Sequence, residues 1–205
     1  YKMKNTKELL HELKHHAPFT LVATLIGVGI ALLLTYLIAK PFEAEIFEIL
    51  HPLHVIASAI VSAGIFYKYK PKIIPALLVG LISSIFIGSL SDVIFPFLGG
   101  AIFSMKPLFH LPLIEFPILI ILSALIGSAI GILFKTTKLP HFFHVGLSIF
   151  ASFFYLLAFS QNFSIIYALL SILIIFIAVL IPCCISDILL PFFFLKKPIK
   201  NCHCC

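Results

Sequence analysis

Between Phe19 and Ala39 the chain carries no charged side chain, and stretches of the same kind recur to its end. They run from His51 to Tyr67, from Ile73 past Asp92 towards Phe103, from Phe116 to Phe134, from His141 to Phe159 and from Phe163 to Leu195. An α-helix of about 20 apolar residues spans the hydrocarbon of a bilayer. In hydrocarbon the backbone can hydrogen-bond only to itself, so such runs become helices. Charged residues make up 11% of the chain, against about 25% in soluble domains. The remaining length allows short connections and no separate soluble domain. The expected fold is therefore an all-α membrane protein with six transmembrane helices.

The net charge of +6 rests on lysine, since the chain contains no Arg. Lysines cluster before Phe19, at 68–72, at 135–138 and after Leu195. With six spans these four segments share one side, so they read as topology signals and exclude a nucleic-acid surface. The positive-inside rule puts that side, and both termini, in the cytoplasm. Tyr1-Lys2 before Met3 reads as a remnant ahead of an initiator, and no small-residue cleavage site follows the first apolar run.

Two stretches divide the chain into related halves. Ser91-Asp92-Val93-Ile94-Phe95-Pro96-Phe97 returns as Ser186-Asp187-Ile188-Leu189-Leu190-Pro191-Phe192, and these hold the only two aspartates. His51, His54, Val55, Ser58 and Ser62 return 90 residues later as His141, His144, Val145, Ser148 and Ser152. Leu25-Ile26-Gly27 returns 100 residues later as Leu125-Ile126-Gly127. Three polar or helix-breaking signatures in one order mark a duplication. Three spans per copy is an odd number, so the two repeats are inverted, as in many secondary transporters. The expected organisation is an amphipathic N-terminal segment at 1–17, a first three-helix repeat at 18–104, an inverted second repeat at 105–195, and a Lys/Cys/His-rich cytoplasmic tail at 196–205. Pro96, Gly99 and Gly100 in the third run, and Pro182 and Pro191 in the sixth, lead us to expect broken or re-entrant helices there.

Histidines three apart share one helix face, and the expectation is that each His-x-x-His opens its span. Two imidazoles and a carboxylate suit a divalent transition metal such as Zn, Fe or Mn, as substrate or bound ion. His51, His54 and Asp92 are expected as an outer ligand set, with His141, His144 and Asp187 as its inner counterpart. Glu115 is a candidate addition to the first set and His15 to the second, standing 100 residues apart. If the aspartate runs re-enter the membrane, the two sets move deeper and merge; the sequence leaves both arrangements open. The four serines read as small-residue helix packing. Cys183 and Cys184, just before Ser186-Asp187, are candidate soft ligands. The tail Cys202-His203-Cys204-Cys205 is either a metal scavenger or unused.

Leu139-Pro140-His141-Phe142-Phe143-His144 and Ile181-Pro182-Cys183-Cys184-Ile185-Ser186-Asp187 resemble segments of small prokaryotic integral membrane proteins labelled heavy-metal exporters. The resemblance implies a prokaryotic inner-membrane protein whose partners are the lipid bilayer and a metal ion, with a homodimer left open. The leading expectation is a secondary transporter or exporter of a divalent transition metal, with proton coupling as an option. An intramembrane metalloenzyme acting on a lipid-borne substrate and a non-transporting scaffold stay open as alternatives.

Overall fold

The computed structural model describes residues 6–38, 43–134, 138–161 and 163–195. Its helices are α1 (Thr6–Ile38), α2 (Glu43–Tyr69), α3 (Ile73–Ser89), α4 (Phe95–Ile102), α5 (Pro112–Glu115), α6 (Pro117–Phe134), α7 (Lys138–Phe159) and α8 (Ile165–Leu195). A π-helical turn, Leu90–Ile94, joins α3 to α4. Among the described residues the only sheet-like pairing is an isolated bridge between Pro107 and Ser160. Among the described residues, five helices are long and apolar enough to cross a membrane: 17–35, 44–69, 73–102, 117–134 and 165–182. Phe143–Phe159 of α7 is a shorter apolar helix. This is an all-α integral membrane protein.

α2 is the central helix, with 72% of its apolar window buried against 28–44% in the other four. α6 and α7 pack along it, α3 packs on α2 and α6, and α1 packs on α7 and α8. Small residues make the α2–α6 approach close. A Cβ at Gly127 would run into the Ile56 carbonyl oxygen, and one at Gly131 into that of Ile60. Between lipid-embedded helices the driving force is such packing, because lipid tails are as apolar as leucine. The outer faces keep large apolar side chains exposed, among them Ile26, Phe86, Ile118, Leu133 and Leu169. On a soluble protein so extensive an apolar surface would drive association; here it faces lipid.

Several sequence expectations change. The N-terminal amphipathic segment and the first span form one helix, which continues through Pro18. The Glu43–Glu48 segment belongs to α2, so His51-Pro52-Leu53-His54 lies inside that helix instead of opening it. The third run does not break: the chain stays helical from Ile73 to Ile102 by widening into the π turn. The sixth run is likewise one helix, with Pro182 and Pro191 within it. The 196–205 tail lies outside the described residues.

α4 ends in a Schellman motif. Met105 N–H bonds the Gly100 carbonyl at 2.9 Å and Ser104 N–H bonds that of Ala101 at 3.1 Å, satisfying carbonyls that the helix end would leave orphaned. Ser104 takes the left-handed conformation this requires, with φ 60°. Met105 is fully buried beyond it. The chain then crosses the end of the bundle, where Leu108 N–H bonds the Phe159 carbonyl at 2.8 Å. The start of α2, the end of α4 and the end of α7 therefore share one end of the molecule.

Candidate functional site

Three segments deliver polar side chains to one buried point. α2 supplies His51 and His54, the π turn supplies Ser91 and Asp92, and α7 supplies His144, Ser148 and Ser152; all seven are buried to 0% exposure. His54 lies about 15 Å along the axis from Ala44, and Asp92 about 15 Å from Ile102, at 1.5 Å per helical residue. That is about half a hydrocarbon thickness. The sequence left open a set near a membrane face and a deeper one; these distances put it well inside the bundle.

Pro96 explains the π turn. A proline in a helix offers no N–H to the preceding turn. Phe95 N–H bonds the Leu90 carbonyl, five residues back, so it no longer serves Ser91. The next residue in that wider register is Pro96, which cannot donate, and the Ser91 carbonyl is left over. Ser152 Oγ meets it at 3.0 Å while also lying 2.6 Å from the Ser148 carbonyl, so one hydroxyl proton is shared between two carbonyls. Single π turns inside α-helices recur at functional sites; this one carries Asp92.

The Asp92 carboxylate is saturated with donors. His51 Nδ1 lies 2.8 Å and His54 Nδ1 2.7 Å from Oδ2. Ser91 Oγ lies 2.7 Å and Ser148 Oγ 3.0 Å from Oδ1. The Ser91 hydroxyl is also 3.0 Å from the Ile87 carbonyl, but the carboxylate is nearer and forms the stronger, charge-assisted bond. An isolated carboxylate in an apolar interior would be prohibitively costly, and four donors offset that cost. On the far side of His54, Nε2 lies 3.0 Å from His144 Nδ1, with ring centroids 4.6 Å apart.

The bonds assign the tautomers. Each imidazole facing Asp92 gives its Nδ1–H to the carboxylate, so the lone pair of neutral His54 sits on Nε2. His144 Nδ1–H then donates to that lone pair. If His54 becomes an imidazolium and His144 carries its proton on Nε2, the same contact runs in reverse and His54 Nε2–H donates to His144 Nδ1. The arrangement can therefore hold a proton and pass it between helices without moving a heavy atom. Polar atoms also extend away from the cluster. His51 Nε2, Ser58 Oγ and Ser62 Oγ are buried and find no hydrogen-bond partner among the described residues. Ser58 and Ser62 follow His54 at one-turn steps along α2.

Among the described residues, no group of three or more His, Cys, Asp or Glu is arranged to hold a metal ion. The physical reason is the closure of the cluster: the Nδ1 atoms of His51 and His54 face Asp92 through their own protons. His51, His54 and Asp92 meet as the sequence suggested. His144, expected in a separate inner set, hydrogen-bonds His54 instead, which joins the halves at one site. Ser148, expected as helix packing, bonds Asp92. Glu115 does not reach the cluster; its Oε1 lies 2.8 Å from His110 Nδ1. The side chains of His15, His141, Cys183, Cys184 and Asp187 lie outside the described residues.

His110 and Phe47 escaped the sequence reading. Phe47 is fully buried and stacks on His51 with centroids 5.6 Å apart. It also meets His110 edge-on, with centroids 5.8 Å apart. A lone histidine in a connection has no partner at a telling spacing; the signal available was Glu115, five residues on.

No protein-family model, curated protein or solved structure matches the chain. Fold and site together define a class: an all-α integral membrane protein whose bundle encloses a titratable polar cluster.

Proposed function

We propose that the protein is a secondary transporter that moves a divalent transition-metal ion through the His51–Asp92–His54–His144 cluster in exchange for protons. The observation that carries this reading is the Asp92 carboxylate, buried among membrane-spanning helices and bonded to His51 and His54 from one half of the chain, His54 being bonded in turn to His144 from the other. Ionisable groups at membrane depth are expensive and mark ion or proton pathways. Apolar residues of similar volume would hold such a bundle together at least as well. The donor set suits the cargo, since imidazole nitrogen and carboxylate oxygen together bind Zn, Fe or Mn. Cargo and proton compete for the same atoms: an ion held by Asp92 displaces the Nδ1–H bonds that now occupy it. That competition is the chemical basis of exchange.

Packing supports the inverted-repeat form of this reading. Gly127 of α6 abuts Ile56 and Ala59 of α2, and Gly27 of α1 abuts Ile149 of α7. Gly27 and Gly127 are repeat-related, and so are Ala59 and Ile149, 90 residues apart. Each copy thus lays its first helix against the second helix of the other copy. Transporters built this way place the substrate at the repeat interface, where the His54–His144 contact lies. On this reading the lysine-rich ends face the cytoplasm of a prokaryotic cell.

The test is flux in proteoliposomes, read by an enclosed metal-sensitive dye and a pH-sensitive dye. Wild-type protein is expected to move Zn(II) or Mn(II) inward with a counterflow of protons. Asp92→Asn abolishes both signals, while the lipid-facing control Leu133→Ala retains them. Equal metal flux through the Asp92→Asn protein would overturn the proposal.

A further inference from the structure

The turn between α2 and α3 carries three lysines within five residues, Lys68, Lys70 and Lys72, and all three are exposed. The apolar spans on either side end at Tyr69 and begin at Ile73, so the turn lies at the water interface of the bilayer. It is compact. Lys70 N–H bonds the Phe66 carbonyl at 2.9 Å, and Lys72 N–H bonds the Lys70 carbonyl at 2.7 Å. The Lys70 ammonium lies 6.0 Å from the centre of the Phe66 ring, which positions that charge without neutralising it.

Among the described residues no carboxylate pairs with these lysines. The first turn of α3 holds no acid. Glu48 stands near the other end of α2, about 30 Å from Lys68 at 1.5 Å per helical residue. Three uncompensated cations in one turn repel one another, and an anion at the interface relieves that repulsion.

A second feature starts from the same turn. Ile74, Leu78, Ile82 and Phe86 are each more than half exposed, and the residues between them are buried or half-buried. Residues four apart share a helix face, so these four form one apolar stripe on α3. From Ile74 to Phe86 it runs about 18 Å along the axis, close to the roughly 15 Å of hydrocarbon in one leaflet. Lysines at the interface and an apolar track leading from them into the membrane together match the two parts of a phospholipid.

We propose that the Lys68–Lys72 turn and the α3 stripe bind an anionic phospholipid of the surrounding leaflet, with its phosphate on the ammonium groups and an acyl chain along Ile74, Leu78, Ile82 and Phe86. Charge selects the lipid. A zwitterionic headgroup brings its own cation towards the lysines, whereas an anionic one brings net negative charge, and juxtamembrane lysines favour anionic lipid for that reason. The site does not depend on the transport reading.

The chain contains no Trp, so Ile82→Trp places a single fluorescent reporter on the stripe and keeps it apolar. The full chain carrying this reporter is reconstituted in phosphatidylcholine vesicles. Phosphatidylglycerol or phosphatidylcholine with brominated acyl chains is then added as the quencher, since bromine quenches a Trp that the chain touches. The brominated phosphatidylglycerol is expected to associate about tenfold more strongly at the reporter than the brominated phosphatidylcholine. Lys68→Gln, Lys70→Gln and Lys72→Gln together abolish that preference; all three positions are exposed, and the thermal unfolding midpoint checks that the fold is kept. Ile118→Trp puts the reporter on an exposed position of α6 at the opposite end of the bundle, where no preference is expected. An equal response to both lipids at Ile82→Trp, a preference that survives the triple substitution, or an equal preference at Ile118→Trp overturns the site.

Discussion

At the scale of single residues, Asp92 governs the site because each of its oxygens already has two donors. The protonation pattern this implies can be measured. In protein labelled with 15N-histidine, long-range proton–nitrogen spectra should place the proton of neutral His51, His54 and His144 on Nδ1. In Asp92→Asn that preference should be lost for His51 and His54; a proton found on Nε2 of His54 in the wild-type protein would contradict the bond directions assigned here. The weight of Asp92 was visible from the sequence, because an acid in an apolar run is costly whatever surrounds it. The role of Ser148 was not. A serine one turn from a histidine looks the same whether it packs against a neighbouring helix or bonds a carboxylate, and only the position of the π turn decides between them. His110 was equally hidden, since its meaning depends on a ring 63 positions earlier in the chain.

At the scale of elements, the π turn converts a break into a register change. Pro96 and the glycines after it led the sequence reading to expect a broken third helix. The helix instead shifts its bonding by one residue, and a neighbouring serine hydroxyl serves the carbonyl that Pro96 cannot. Pro96→Ala supplies the missing N–H and allows the α register to continue. One residue of register turns a side chain by about 100° around the axis, which carries Asp92 away from His51 and His54. The expected result is a lowered unfolding midpoint, because the buried carboxylate loses its donors, together with loss of the Nδ1 pattern in the histidine spectra. A preserved pattern would mean that the cluster, and not the proline, holds the π turn. The His-x-x-His pair shows the converse lesson. Its spacing correctly implied one shared face, but its place within α2 depended on where the acidic segment before it became helical, and composition does not report that.

At the scale of the whole molecule, membrane class was legible because it follows from the hydrocarbon alone. Which helix lies at the centre was less so, its one sequence signal being that α2 is the least apolar of the five candidate spans. α2 is central because α6 can approach it closely, and Gly127 sits where no Cβ fits. Gly127→Val should force the helices apart and cost about 2–3 kcal/mol, lowering the midpoint of thermal or dodecyl-sulfate unfolding. The same change at Gly29, which has open space around it, should have little effect. The assembly of the cluster also sets an order on biosynthesis. His51, His54 and Asp92 are all synthesised before α7 exists, and His144 and Ser148 arrive last. Until α7 inserts, the first half holds a buried acid that lacks the Ser148 bond and an imidazole that lacks His144, in a solvent that supplies no substitute. A nascent chain halted after Phe134 should therefore be held by the insertion machinery or degraded, whereas one extended past Phe159 should be released into the bilayer. For this protein the last polar contact to form is the one that lets the membrane accept the rest.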